Sequence, residues 1–166
     1  MAKARVTGLR PVLLRILRIA ITTLAAIVIV VFLGVLAYVT LTPLPHAVGE
    51  AGGNTHPGWS IHQYLDRPDI RAAITQLGGN VLLLSPLGAL LPVVGRRFRR
   101  WFVVTAVCAV VSLAIETVQG VFIVGRAFDI DDVILNTLGG LLAYAFVGRF
   151  LGRIVPERRR RRRRRA

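Results

Sequence analysis

The third long apolar stretch of the chain contains a single acidic residue, Glu116. Ser112 lies four residues before Glu116, and Gln119 lies three residues after it. Residues at these offsets share one face of an α-helix, so the three polar side chains would form one strip. Glu116 would lie about 22 Å from the start of the stretch at Trp101, at 1.5 Å per residue. If the stretch crosses a membrane, an ionisable side chain there costs at least ~2–3 kcal/mol, so we expect Glu116 to face the bundle interior and mark a functional site.

A second polar cluster, residues 125–132 (GRAFDIDD), leads directly into the fourth apolar stretch. The planar guanidinium of Arg126 suits phosphate, pyrophosphate or carboxylate groups. Asp129 and Asp132 could together hold a divalent cation, and Asp131 or Asp132 could instead cap the fourth helix. Asn136 follows Asp132 by four residues and would lie on the same helical face.

The second apolar stretch contributes Asn80, an amide that can hydrogen-bond across a helix interface. Pro86 has no N–H for the carbonyl of Leu82, and Pro92 leaves that of Gly88 unpaired, so we expect a kink or opening here. The candidate ligand-binding residues are therefore Asn80, Ser112, Glu116, Gln119, Arg126, Asp129, Asp132 and Asn136. Glu116 is the one candidate for a catalytic group, and we expect neither a resident metal nor a cofactor.

Four apolar stretches must position these residues. The chain has 166 residues, of which 54% are hydrophobic. A helix needs about 20 apolar residues to cross the hydrocarbon core, and a lipid-exposed segment must satisfy its own backbone polar groups. The pattern predicts an all-α membrane protein, a bundle of four transmembrane helices at 19–41, 72–94, 101–122 and 133–155.

The basic residues predict the orientation of the bundle. Of the 22 lysines and arginines, 19 lie before the first stretch, between the second and third, or at the end of the fourth and beyond. Arg67, Arg71 and Arg126 lie on the other side, with most of the acidic residues. Because Lys and Arg near span ends stay in the cytoplasm, both termini are expected to be cytoplasmic and the polar cluster outside. This distribution of the +14 net charge favours a membrane protein over a nucleic-acid binder.

The composition of the segments outside the spans predicts two basic termini and one long polar loop. Residues 1–18 form a basic cytoplasmic N-terminus, and residues 42–71 an extracytoplasmic loop with a possible short helix from Ser60 to Leu65. The loop residues His46, His56 and His62 fit no standard metal spacing. Residues 156–166 form an Arg-rich cytoplasmic tail, expected to lie on anionic inner-leaflet lipid at about 1 kcal/mol per Arg.

Three segments together resemble the signatures of the VanZ-like family, in the right order and spacing. They are residues 80–92 (NVLLLSPLGALLP), the set Ser112, Glu116 and Gln119, and residues 125–140, from GRAFDIDD to NTLGG. The likeness covers roughly residues 72–150, and within 72–155 it defines a VanZ-like core. Ser85 departs from the pattern, since an aromatic residue is common before the proline. The resemblance implies a multi-pass protein of the bacterial plasma membrane, in a family whose founding member is associated with low-level resistance to the glycopeptide teicoplanin.

The first functional hypothesis is a cell-envelope protein with an outward-facing polar site and no enzymatic activity. That site would bind or remodel a lipid-linked cell-wall precursor, or a glycopeptide antibiotic. Arg126 would engage an anionic group of the ligand, and Glu116, Gln119 and Asn136 would orient that arginine.

Two alternatives use the same residues differently. A membrane enzyme acting on a lipid headgroup would take Glu116 as general base and Asp129 with Asp132 as cation ligands. A small proton-coupled transporter or flippase would use Glu116 as its proton site and would need an oligomer, since four helices make a narrow pathway. The sequence has no recognisable nucleophile pair, phosphate loop or His–Glu metal signature, so a non-enzyme is favoured.

Overall fold

The computed structural model describes residues 2–43, 53–66 and 68–155, with side chains from residue 12 onward. Over these residues the chain is helical, with turns and one isolated β-bridge but no strand. The Arg-rich tail, Arg67 and His46 lie outside the described residues, and so do the expectations attached to them.

Four helical segments are long and apolar enough to cross a membrane: Val12–Thr40, Ile70–Val94, Trp101–Phe122 and Ile130–Ile154. They confirm the all-α fold of four spans. Many of their large apolar side chains are exposed, among them Val30 at 68%, Phe122 at 74% and Phe146 at 73%. In a membrane these side chains face lipid, which explains why a chain this apolar has so small a buried core.

The first span is one continuous helix, α1 (Ala2–Thr40), which extends through most of the basic N-terminal segment. A short helix, α2 (Trp59–Leu65), lies in the loop that follows. We call the end of the bundle that carries α2 the α2 end. The opposite end carries a 3₁₀ turn, Arg96–Arg99, which joins the second span to the third.

The second span consists of two helices, α3 (Ile70–Leu83) and α4 (Ser85–Val94), separated at Leu84. Leu84 donates its N–H to the carbonyl of Leu82, the group that Pro86 cannot serve. The Ser85 hydroxyl donates to the carbonyl of Val81 at 2.8 Å. The interruption expected at Pro86 is thereby confirmed, whereas α4 continues through Pro92.

The third span is α5 (Trp101–Phe122), and the fourth comprises α6 (Ile130–Ala143), a π-helical turn (Tyr144–Gly148) and α7 (Arg149–Ile154). The second and fourth spans approach at glycines. A Cβ on Gly139 would collide with the backbone of Val81, and a Cβ on Gly88 with that of Gly140. The small residues of the fourth span thus allow the two helix backbones to approach closely.

The core is small and lies where α4, α5 and α1 meet. Leu84, Leu87, Val104 and Cys108 are at most 2% exposed, and Leu36 of α1 joins them. Helix α6 packs against α3, α4 and α5, whereas α1 packs mainly on α4 and touches α5. Helix α3 packs mainly on α6, and the polar residues gather at the α2 end.

Candidate functional site

Helix α5 supplies the polar strip expected from the sequence. Its buried residues are Val104, Cys108, Ser112, Glu116 and Gln119, which recur every three or four positions. Glu116 is only 4% exposed, so the expectation that it faces the bundle interior is confirmed. A single helical face thus leads from the apolar core to a buried carboxylate near the α2 end.

The turn between α5 and α6 is attached to this face. The N–H of Asp129 donates to Glu116 Oε2 at 3.2 Å. Asp129 is also the N-cap of α6, because its Oδ1 accepts the N–H of Asp131 at 2.8 Å. The sequence suggested Asp131 or Asp132 as the cap of the fourth span, but the structure has Asp129 in that role.

Asp131 serves a different helix. It is fully buried, and its carboxylate accepts the N–H groups of Gly58 at 2.5 Å, Ser60 at 2.8 Å and Ile61 at 3.3 Å. These groups belong to the start of α2, where backbone N–H groups lack partners within the helix. Asp131 therefore holds α2 against the start of the fourth span.

Asn54 adds a second attachment for the loop. Its backbone pairs with the α5–α6 turn in the isolated bridge, as its N–H donates to Phe128 at 2.8 Å and its carbonyl accepts from Ile130 at 3.0 Å. Its side-chain amide donates to Asp129 at 2.9 Å and to Ser60 at 3.0 Å. Backbone and side-chain bonds together fix the position of α2 over the bundle.

Asp132 and Asn80 form the link between the second and fourth spans at the α2 end. The Asn80 amide donates to Asp132 Oδ1. Farther into the bundle, the fully buried Asn136 donates to Ser112 Oγ at 2.9 Å. The Asn136 side-chain oxygen has no hydrogen-bond partner among the described residues.

Arg126 and Gln119 both contact the end of α1. Arg126 donates Nε to the Thr42 carbonyl at 3.2 Å and Nη2 to the Val39 carbonyl at 3.3 Å. Gln119 donates Nε2 to the carbonyl of Thr40 at 2.7 Å. The last carbonyls of a helix are unpaired and carry partial negative charge, so a guanidinium stabilises them.

A cleft of about 740 Å³ opens at the α2 end; we call it the α2 cleft. Its polar and aromatic lining is Thr40, Trp59, Ser60, Gln63, Tyr64, Thr75, Gln76, Asn80, Glu116, Gln119, Arg126, Phe128, Asp129 and Asp132. The apolar part of the wall includes Val39, Leu83 and Ile115. Thr75, Gln76 and Gly79 are exposed on the α3 side, so the cleft reaches the surface of the second span.

Six of the eight residues selected from the sequence line this cleft: Asn80, Glu116, Gln119, Arg126, Asp129 and Asp132. Ser112 and Asn136 lie deeper and bond to each other. Asn54 and Asp131 were not selected, although they hold α2 in place. For Asn54 the sequence did offer one signal, because an Asn in a loop often accepts the N–H of the residue two positions later in an Asx turn. The structure contains this bond: the N–H of His56 donates to the Asn54 side-chain oxygen at 2.8 Å.

The acidic residues near the cleft have separate partners. Asp129 accepts from Asn54 and from the Ser60 hydroxyl, whereas Asp132 accepts from Asn80. Across the described residues, no group of three or more His, Cys, Asp or Glu side chains could hold a metal ion. The arrangement is that of a polar recess bounded by amides, carboxylates and aromatic rings.

The fold and the recess define a four-span membrane protein with a polar cleft at one end of the bundle. A family model described as VanZ/LLP1 matches residues 24–151, well over half of the chain. The chain belongs to the VanZ/LLP1 family. Comparison with curated proteins and with solved structures gives no match.

Proposed function

We propose that this protein resides in the bacterial plasma membrane with its α2 cleft facing away from the cytoplasm. The end opposite α2 carries the basic turn Arg96–Arg99 and, on the fourth span, Arg149 and Arg153. Basic residues flanking spans stay in the cytoplasm, which supports this orientation. Both termini would then be cytoplasmic, and the Arg-rich tail would contact anionic inner-leaflet lipid.

In that orientation, the cleft binds the polar part of an amphipathic envelope molecule. The ligand would be a lipid-linked cell-wall component or a glycopeptide antibiotic of the teicoplanin type. The observation that carries this proposal is the exposed polar face of α3 beside the cleft, formed by Thr75 and Gln76. Polar side chains on the open face of a span are unfavourable against hydrocarbon, so a polar ligand or headgroup is their natural contact.

One alternative uses the same cleft for catalysis on a lipid headgroup. Glu116 is the candidate general base, because it lines the cleft and only its Oε2 accepts a bond from a described residue. Loss of headgroup turnover in Glu116→Gln, with binding retained, would favour this enzyme. A small proton-coupled transporter would instead lose activity when the proton gradient is collapsed.

Two neighbouring glycines allow a matched test of the binding role. In α3, neither Gly78 nor Gly79 has an atom within 4 Å of the position of an added Cβ, and Gly79 lines the cleft while Gly78 does not. Gly79→Leu would therefore project a bulky apolar side chain into the cleft, and Gly78→Leu is its control. Both are expressed with wild type at matched membrane levels in a glycopeptide-sensitive Gram-positive host.

We expect wild type and Gly78→Leu to lower teicoplanin binding at the cell surface and raise the inhibitory concentration. Gly79→Leu should lose both effects. If wild type changes neither quantity, a role in glycopeptide protection is wrong for this chain. Equal protection by all three proteins would show that the α2 cleft is not the site.

A further inference from the structure

Glu116 has a free acceptor that faces the α2 cleft. The residue is 4% exposed and lines the cleft, and its Oε2 accepts the N–H of Asp129. No described residue donates to Oε1. This oxygen keeps some accessible surface, so a ligand or solvent donor in the cleft can reach it.

Asp132 adds a second carboxylate to the same wall. It lines the cleft and accepts from Asn80 through Oδ1 alone. Within the described residues, one acidic side chain forms an ion pair, Asp66 with His62, and both lie outside the cleft lining. Neither Glu116 nor Asp132 therefore has a cationic side chain within 4 Å among these residues.

Arg126 is the one cation among the described lining residues, and it is directed to other acceptors. Two of its donors bond to the carbonyls of Val39 and Thr42 at the end of α1. Its charge is thus shared with the negative end of that helix. Glu116, Asp129 and Asp132 outnumber it, so the cleft disfavours an anion.

The remaining lining suits a cation. An ammonium group has three N–H donors and no acceptor, which matches unpaired carboxylate oxygens. Trp59 lies at the cleft wall and Phe128 lines it too, and aromatic faces attract ammonium groups. Val39, Leu83 and Ile115 provide apolar wall for an attached chain.

From this arrangement we infer that the α2 cleft selects membrane amphiphiles that carry a primary ammonium group. Glu116 and Asp132 bind the ammonium, and the apolar part of the molecule extends along α3 into lipid. The inference rests on the proposed binding function and narrows it to one ligand chemistry. It replaces the expectation that Arg126 recognises an anionic group.

The two tryptophans provide the measurement. Trp59 lines the cleft, whereas Trp101 starts α5 at the opposite end, so Trp101→Phe leaves one reporter in the cleft. The full chain in detergent is titrated with short-chain phosphatidylethanolamine, with its N-acetylated analogue and with phosphatidylglycerol. The analogue keeps the acyl chains and the phosphate but has a neutral, slightly larger amide in place of the ammonium. Glycerophosphoethanolamine, which has the amine without the acyl chains, serves as competitor.

We expect phosphatidylethanolamine to bind roughly tenfold or more tightly than the N-acetylated lipid, the range for one charged hydrogen bond. Glu116→Gln should reduce the ratio of the two affinities towards one. Asp132→Asn should do the same, and it changes a carboxylate that is less buried than Glu116. Asp66→Asn, a control outside the cleft, should preserve it. Glycerophosphoethanolamine should displace the lipid only at much higher concentration.

Three results would overturn the inference. They are equal binding of the two lipids by wild type, tighter binding of phosphatidylglycerol, and an unchanged ratio in both cleft variants. Equal potency of glycerophosphoethanolamine would assign the site to a water-soluble amine. Binding without amine preference leaves the proposed function standing, because the Gly79→Leu comparison in cells tests that function separately.

Discussion

Asp129 donates its backbone N–H to the Glu116 carboxylate at 3.2 Å, thirteen residues away along the chain. The bond joins the buried face of α5 to the residue that caps α6. Glu116 therefore has a structural partner on one oxygen and the cleft on the other. Under the proposed function, a substitution of Glu116 acts on both stability and ligand binding, so the two effects must be measured separately.

Glu116→Ala and Glu116→Gln should differ in stability. Gln keeps a side-chain oxygen that can accept from Asp129, whereas Ala leaves that N–H unpaired at a cost of about 1–3 kcal/mol. Unfolding in mixed detergent micelles should place Gln close to wild type and Ala clearly below both. Equal stability of the two variants would contradict the role of the 3.2 Å bond.

Asp131→Asn should release α2. The carboxylate accepts three backbone N–H groups at the start of that helix, and the amide retains one acceptor oxygen. Hydrogen exchange at residues 58–65 should accelerate by at least about tenfold, the loss expected for one charge-assisted bond. Asp69→Asn is the control, since Asp69 caps α3 locally at an exposed position. Slow exchange of α2 in Asp131→Asn would show that other contacts hold it.

Gly139→Ala should destabilise the bundle strongly. The added Cβ would overlap the Val81 backbone, which forces the second and fourth spans apart at a cost of about 1–3 kcal/mol or more. Gly79→Ala introduces the same atom into open space and should not reduce stability. Thermal unfolding of both purified variants checks the contrast. A Gly139→Ala protein as stable as Gly79→Ala would contradict the close approach.

Ser112 and Asn136 should be energetically coupled. They hydrogen-bond at 2.9 Å, and both are fully buried. Interhelical hydrogen bonds in membrane proteins average about 0.6 kcal/mol in double-mutant cycles. The Ser112→Ala and Asn136→Ala cycle should therefore give a coupling of roughly 0.5–1.5 kcal/mol. A coupling near zero would mean that Asn136 is satisfied equally well without the serine.

The orientation can be tested by cysteine labelling. Cys108 is buried, so Cys108→Ala gives a background without native thiol. In intact cells a membrane-impermeant reagent should label Asp66→Cys at the α2 end but not Arg97→Cys, which should react only after permeabilisation. Both positions are exposed in the structure. The reverse pattern would place the α2 cleft in the cytoplasm.

The sequence predicted those features that depend on near neighbours along the chain. The four apolar segments follow from hydropathy, and the buried face with Ser112, Glu116 and Gln119 follows from helical spacing. Gly139 could be predicted as a packing position because small residues let helix backbones approach. In each case the signal lies within one helix, where geometry is fixed by the α-helical repeat.

Contacts made by the loop could not be predicted in this way. Asp131 bonds to Ser60 across 71 residues, and Asn54 bonds to Asp129 across 75. Arg126 bonds to carbonyls 84 and 87 residues away at the end of α1. Spacing within a helix carries no information on such pairings, because they depend on how the spans assemble.

The interruption at Leu84 divides the second span into two separate helices, α3 and α4, joined at one residue. Helix α3 forms one side of the α2 cleft, and Asn80 links it to Asp132. Helix α4, in contrast, packs into the hydrophobic core through Leu87 and Leu91. A displacement of α3 is therefore not transmitted to the basic turn through an uninterrupted series of helical backbone hydrogen bonds. A structural effect of ligand binding in the α2 cleft would therefore reach the opposite end of the bundle through the fourth span, whose glycines contact both α3 and α4.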